Sequence, residues 1–439
     1  MFSNGFYPEM AIIDLTRAQL IYDAYHRSGG FDTGSYLVQH TREPPADYAR
    51  RQLLATYDNL FKPGCQRYVG YLSRKPVERM TEQPLLQAIL GDADRNKTSM
   101  ASYMLDVAQD FKPFGNGIIV VDMPQENMPA DQRAQIDQRM LPYFTAFDLS
   151  VIKDFSIDST GHLTSLKIEQ REYVDKKITT VERYWDDERW WVKVAGQILE
   201  QGDIGFGLCP AIEFSESQFP LEGEFSGVAD LQKRIYNLTS KDDLVINDQS
   251  FSVFCYQVPP DLSAQFSDTE IALSIGTKNM VKYYGDQAPS YAAPDSGPSE
   301  TIKDRITEAK NRINEITYKI TQSGIPESGY AKLLNFQELN SSLSKYAERM
   351  EQFERRLWRV VCAMLRLPEE SITINWPRDY SISDLDTEFD VLMNMQTNGF
   401  PPEAILAKKR QIVSLALPSL GDDESAAIDA GFLVEEQGQ

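Results

Sequence analysis

Apolar side chains recur at steps of three and four through Ile302, Ile306, Ala309, Ile313, Ile316 and Ile320. A longer run follows through Leu333, Phe336, Leu339, Leu343, Tyr346, Met350, Phe353, Leu357, Val360 or Val361, and Met364. A 3.6-residue period places each run on one stripe of a helix, and seams this narrow are the kind that close against other helices in an assembly. The link between them, residues 321–329, holds Gly324, Pro326 and Gly329. Upstream, helical spacing covers 11–28 (Leu15, Leu20, Ile21, Tyr25) and 48–60 (Leu53, Leu54, Tyr57), with Pro44 and Pro45 breaking the chain between them. Further helices are predicted over 81–90 and 99–111.

The texture changes at Gly115, Asn116 and Gly117, which lead into an apolar strand, 118–121. Residues 147–196 read as a meander with a turn at 159–161 and a tight hairpin at Trp185–Trp190. Trp185, Trp190 and Trp191 are assigned to sheet packing rather than to a base-stacking platform. Residues 214–225 read as turn-rich and acidic, and 226–250 as a helix with Val228, Leu231, Ile235 and Leu238 on one face and Ser226 as its cap. A small mixed region, 251–298, contains one clear strand, 251–258. The order is therefore a helix out, a small domain, and a helix back. At 1.5 Å per residue, the returning helix spans ~30 Å and the long one, 329–367, ~55 Å before Pro368 stops it. A strand at 371–376, an amphipathic segment at 383–395, a helix opened by Pro401 and Pro402, and an acidic tail complete an α+β chain.

A length of 439 residues with 42% hydrophobic content supports a real core and two to four domains. Cys65, Cys209, Cys255 and Cys362 are scattered, with no ligand or disulfide spacing. No run of 18 apolar residues occurs, and the N-terminus lacks a signal-peptide pattern, so synthesis in the cytoplasm and no membrane partner are expected. Lys and Arg number 44 against 65 Asp and Glu, a net charge of -21. That charge disfavours wrapping of nucleic acid but is compatible with DNA that slides past without sticking.

No catalytic, cofactor-binding or metal-binding residue is assigned. His26, His40 and His162 form no ligand motif, and Gly202–Gly207 lacks the residues of a phosphate loop. Asp186 with Asp187, Asp242 with Asp243, and the terminal Asp422, Asp423 and Glu424 are neighbours in sequence, whereas a two-metal site needs acids converging from different elements. Charged residues interleave along the first seamed helix, where Arg305, Glu308, Arg312 and Glu315 are candidates for ion pairs between subunits.

Three stretches carry a family resemblance: residues 227–246, residues 301–320, and above all ESGYAKLLNFQELNSSLSKYAERMEQFERRLWRVV at 327–361. In the last, Ser328, Gly329 and Ala331 open a long helix that contains Glu348 and Glu354 and ends in an aromatic and basic segment with Trp358 and Arg359. In these stretches, and in the order of parts over 115–400, the chain resembles the portal proteins, or head-to-tail connectors, of tailed double-stranded DNA bacteriophages. The resemblance implies a wing (1–225), a first stem helix (226–250), a clip (251–298), a second stem helix (299–321) and a tunnel loop (322–329). The long helix with the remainder of the wing (330–395) and a short crown with an acidic tail (396–439) complete that scheme.

The resemblance further implies a ring of twelve copies at the unique portal vertex of the capsid in the virion, made in the host bacterial cytoplasm. Its implied partners are double-stranded DNA passing without sequence specificity, the terminase large subunit (the packaging ATPase), the major capsid protein, a scaffolding protein and a head-tail adaptor. It implies no enzyme activity and no cofactor. Gln322, Ser323, Gly324, Ile325 and Pro326 would face the DNA, and Ile302, Ile306, Ala309, Ile313, Ile316 and Ile320 would form the seam between subunits. On the residues alone two other classes remain: a metal-dependent nuclease or phosphoesterase using acids such as Asp186 and Asp242, and a nonenzymatic virion adaptor of lower symmetry.

Overall fold

The computed structural model describes residues 13–124, 129, 131–174, 176–250, 253–258, 280–284, 290–292, 297–318, 329–380, 385–417 and 428. The chain divides into two units, Met1–Glu327 with Ser341–Arg378, and Ser328–Asn340 with Asp379–Gln439.

In the first unit, α1 (Leu15–His26) starts where the Asp14 carboxylate accepts from the Thr16 and Arg17 amides. A short α2 (Gly30–Thr33) follows, then α3 (Pro45–Leu54). Pro44 and Pro45 do not merely interrupt: Pro45 is the first helical residue, where its missing amide costs nothing, and the helix ends at Leu54 rather than at 60. A helix that the spacing of apolar residues does not predict, α4 (Phe61–Leu72), begins where Asn59 Oδ1 accepts from the Phe61 and Lys62 amides. Pro63 and Gly64 in its first turn mask it from any propensity scale. Next come β1 (Glu78–Met80), α5 (Pro84–Gly91) and α6 (Met100–Phe111).

Two antiparallel sheets follow. The first has β2 (Asn116–Asp122) at its centre, between β3 (Tyr143–Phe147) and β9 (Ala211–Ser215), and α7 (Gln132–Asp137) lies in the β2 to β3 connection. The second is a meander in sequence order: β4 (Ile152–Ile157), β5 (Leu163–Val174), β6 (Lys177–Trp185), β7 (Arg189–Val194) and β8 (Gln197–Asp203). Neither β8 nor β9 is expected from the sequence pattern. The β7 to β8 turn uses Ala195 and Gly196, both at positive φ, as a two-residue hairpin does. Gly202 belongs to β8 opposite Trp190, and a Cβ there would meet the indole Nε1 at 2.7 Å. The glycines of 202–207 thus include one that admits a tryptophan.

Helix α8 (Val228–Ser250) leads to a three-stranded sheet in which β10 (Val253–Val258) pairs parallel with β11 (Met280–Tyr284) and antiparallel with β12 (Ser290–Ala292). Helix α9 (Gly297–Ile316) returns. The long α10 (Gly329–Leu365) ends with Arg366 in the left-handed region and the Leu367 amide on the Cys362 carbonyl, just before Pro368. Strand β13 (Thr373–Asn375) then pairs with β1.

The part of α10 in this unit runs through the core. Phe214 packs edge-on against both Tyr346 and Phe353, and Phe144 against Trp358. Its stripe of Leu343, Tyr346, Met350, Phe353 and Leu357 is buried within one chain, so this seam serves the fold. In the second unit, α11 (Leu385–Thr397) and α12 (Pro402–Ala416) pack together, with Leu392 and Ile412 buried and Lys408 paired with Glu388.

Candidate functional site

The element pair that the sequence singled out, α8 and α9, is built as two antiparallel rods. Near the β10–β12 end, Ser299 Oγ donates to Asp242 Oδ1 at 2.6 Å in a buried contact between the helices. At the other end α9 also meets α4: a Cβ on Gly64 would lie 2.6 Å from Thr317 Cγ2. Ser299→Ala leaves a buried carboxylate short of a donor, a loss of about 1–3 kcal/mol. Hydrogen exchange should then quicken in the α8–α9 pair near Asp242; unchanged protection would rule out the clamp.

This packing divides the predicted seam. Ala309 and Ile313 are each 1% exposed in a single copy, so the fold of one chain already buries them. Ile302, Ile306 and Ile316 remain half-exposed, and Ile320 lies outside the described residues. The charged candidates pair along the helix, Arg305 with Glu308 at 3.0 Å and Arg312 with Glu315 at 2.8 Å, all more than half exposed. Arg234 on α8 also approaches Glu308 at 3.7 Å. Exposed pairs of this type contribute ~0–1 kcal/mol each and exchange partners readily. Gln322, Ser323, Gly324, Ile325 and Pro326 lie outside the described residues.

The end of α9 is tied to a buried lysine that no sequence pattern marks. Tyr318 Oη donates to Glu224 Oε1, and Glu224 Oε2 lies 3.1 Å from Lys112 Nζ. Lys112 also pairs with Glu216 at 2.8 Å and sits 4.1, 4.2 and 4.8 Å from the ring centroids of Tyr68, Phe225 and Tyr346. Burial alone would lower the lysine pKa, but Glu216, Tyr68 and Glu224 outweigh it and raise it. One cation therefore joins α4, α6, the lead into α8, and α10, and through Glu224 the end of α9.

No protein-family model matches the chain, and no curated relative matches it. Among solved structures, similar chains come from the neck of a native gene transfer agent particle computed with C12 symmetry, at 10% identity over 84% of this chain and 88% of that one, TM-score 0.37. The neck of the empty particle computed with C6 symmetry gives 10% identity, the same coverages and TM-score 0.38. A HK97 family phage portal protein from Corynebacterium diphtheriae gives 10% identity over 73% of this chain and 93% of that one, TM-score 0.36.

Asp186, Asp242 and the three histidines weighed for other chemistry have structural partners. Asp186 Oδ1 accepts from the Glu188 and Arg189 amides inside the β6 to β7 turn, and Asp242 is held by Ser299. His162 Nδ1 lies 2.9 Å from Glu213 Oε1 and 2.8 Å from Arg356 Nη1, while Glu213 Oε2 accepts from the Leu163 amide, a network joining β5, β9 and α10. His26 stacks near Tyr22, and His40 Nδ1 accepts from the Arg42 amide in an exposed turn. Trp185 is buried and Trp191 stacks on Tyr184, as sheet packing requires. Among the described residues, no three His, Cys, Asp or Glu side chains gather as metal ligands, and no helix is long and apolar enough to cross a membrane. Asp422, Asp423 and Glu424 lie outside the described residues.

Proposed function

We propose that the chain is a portal protein, whose copies close into a ring that admits double-stranded DNA at one vertex of a virus capsid. The observation that carries the reading is the α8–α9 arm: helices of 23 and 20 residues, ~35 and ~30 Å long, leading from the main unit to a small sheet and back. Such an arm, with half-exposed isoleucines and paired charges of both signs on α9, suits side-by-side repetition about an axis. A cyclic ring needs one heterologous contact used by every copy. In that contact Ile302, Ile306 and Ile316 meet the neighbouring subunit, and Arg305, Glu308, Arg312 and Glu315 exchange partners across it.

A net charge of -21 favours a wall along which duplex DNA moves without being gripped. On this reading the small sheet receives the packaging ATPase and later a head-tail adaptor. Residues 322–326 face the DNA, the capsid and scaffolding proteins surround the ring, and twelve is the expected count.

Electron microscopy of the purified chain tests this directly: rings with an axial opening wide enough for a duplex are expected, and a chain that stays monomeric under assembly conditions overturns it. Ile306→Asp should reduce ring yield by about tenfold, as the loss of roughly 1.4 kcal/mol per contact would, without changing the far-ultraviolet circular dichroism. Ile313→Asp is no test of assembly, because its side chain is already buried within the chain.

A further inference from the structure

Away from the helix pair, a cavity of about 300 Å³ opens among α5, the turn after it, α7 and the lead into β3. Its apolar lining comes from Ala88, Ile136, Leu141 and Pro142, and its charged lining from Arg95, Arg139 and Asp92. Leu141 and Pro142 are buried, Ala88 and Ile136 are half-buried and Arg95 is exposed, so the positive charge lies on the solvent side of the apolar lining.

The charges do not cancel. Arg139 donates from Nε to Asp92 Oδ2 at 2.7 Å and from Nη2 to the same oxygen, while Asp92 Oδ1 accepts from the Lys97 amide. Asp92 is thus committed to one guanidinium and one backbone amide. The Arg95 guanidinium lies 5.6 Å from the Tyr143 ring centroid and has no carboxylate partner among the described residues. One positive charge is left over at the cavity of a chain whose net charge is -21.

The geometry points to a binding site for a small apolar carboxylate, its hydrocarbon between Ala88, Ile136 and Leu141 and its carboxylate on Arg95. The chemistry fits both a free organic acid and the C-terminal residue of a peptide. The inference does not depend on ring formation, since every lining residue belongs to one chain.

Calorimetric titration of the full chain with hexanoate and with N-acetyl-glycyl-leucine, each beside its amide, tests it. Both acids should bind about tenfold more tightly than their amides, as expected for one charge-assisted contact. Arg95→Gln should remove that difference without moving the thermal unfolding transition. Ala88→Phe fills the cavity and should abolish binding of both acids; if that variant misfolds, Arg95→Gln still decides. Tighter binding of the dipeptide identifies a peptide terminus, and tighter binding of hexanoate a free acid. Amides that bind as well as acids, inorganic phosphate that competes fully, or an Arg95→Gln protein that binds like the wild type each overturns the assignment.

Discussion

Glu354→Ala lowers the stability of the main unit by about 3–5 kcal/mol, the usual loss when one partner of a buried ion pair is removed. Glu354 is 0% exposed and takes Arg79 through both oxygens, at 2.6 and 3.0 Å from Nε and Nη2. The same carboxylate accepts from Trp376 Nε1 at 2.9 Å and Trp358 Nε1 at 3.3 Å. Alanine leaves a guanidinium and two indole donors buried without an acceptor. The check is the urea midpoint followed by tryptophan fluorescence, to which two of the chain's five indoles contribute from contact with the lost group. The double variant Arg79→Met with Glu354→Leu should recover much of the loss, because a buried pair replaced by hydrocarbon is often near neutral. A single variant within about 1 kcal/mol of wild type would mean that the pair is solvated in solution.

Lys112→Met is expected to cost about 2–4 kcal/mol by a different route. Methionine fills the aromatic cage, so the loss is electrostatic: Glu216 and Glu224 are left facing each other without the cation between them. The pH dependence gives the sign. A lysine whose folded pKa is raised contributes its full stabilisation below its unfolded pKa of ~10.4 and loses it as pH rises through the folded value. The gap between wild type and Lys112→Met should therefore be full at neutral pH and shrink in strong alkali. Tyr68, pushed up to about 12 mainly by burial, destabilises the wild type in the same alkaline range. Equal stability of wild type and Lys112→Met at neutral pH would show that Lys112 is not a buried cation in the folded state.

Elements with a local cause were legible. The helices at α6, α8, α9 and α10 follow from a 3.6-residue period and nearby caps or breakers, and the β6 to β7 hairpin from a short polar turn between aromatic strands. Elements whose cause is distant were not. Strand β9 exists because Ala211–Ser215 pairs with β2, nearly a hundred residues earlier, and its own five residues carry no alternation. Strand β8 is exposed along almost its whole length, so burial leaves no mark on its sequence. Helix α4 is written against propensity and held by Asn59 and its buried face.

The same division runs through the candidate site. By itself the sequence determined that 302–316 is a helix with an apolar stripe, that a strand-containing stretch separates it from α8, and that the chain is strongly acidic; these depend on period, order and composition. Only the tertiary structure decided which surface the stripe meets, because hydrophobic burial is non-directional and a period records a face without naming its partner. Ala309 and Ile313 turned inward, Ile302 and Ile306 stayed partly open, and Lys112 found its carboxylates more than a hundred residues away.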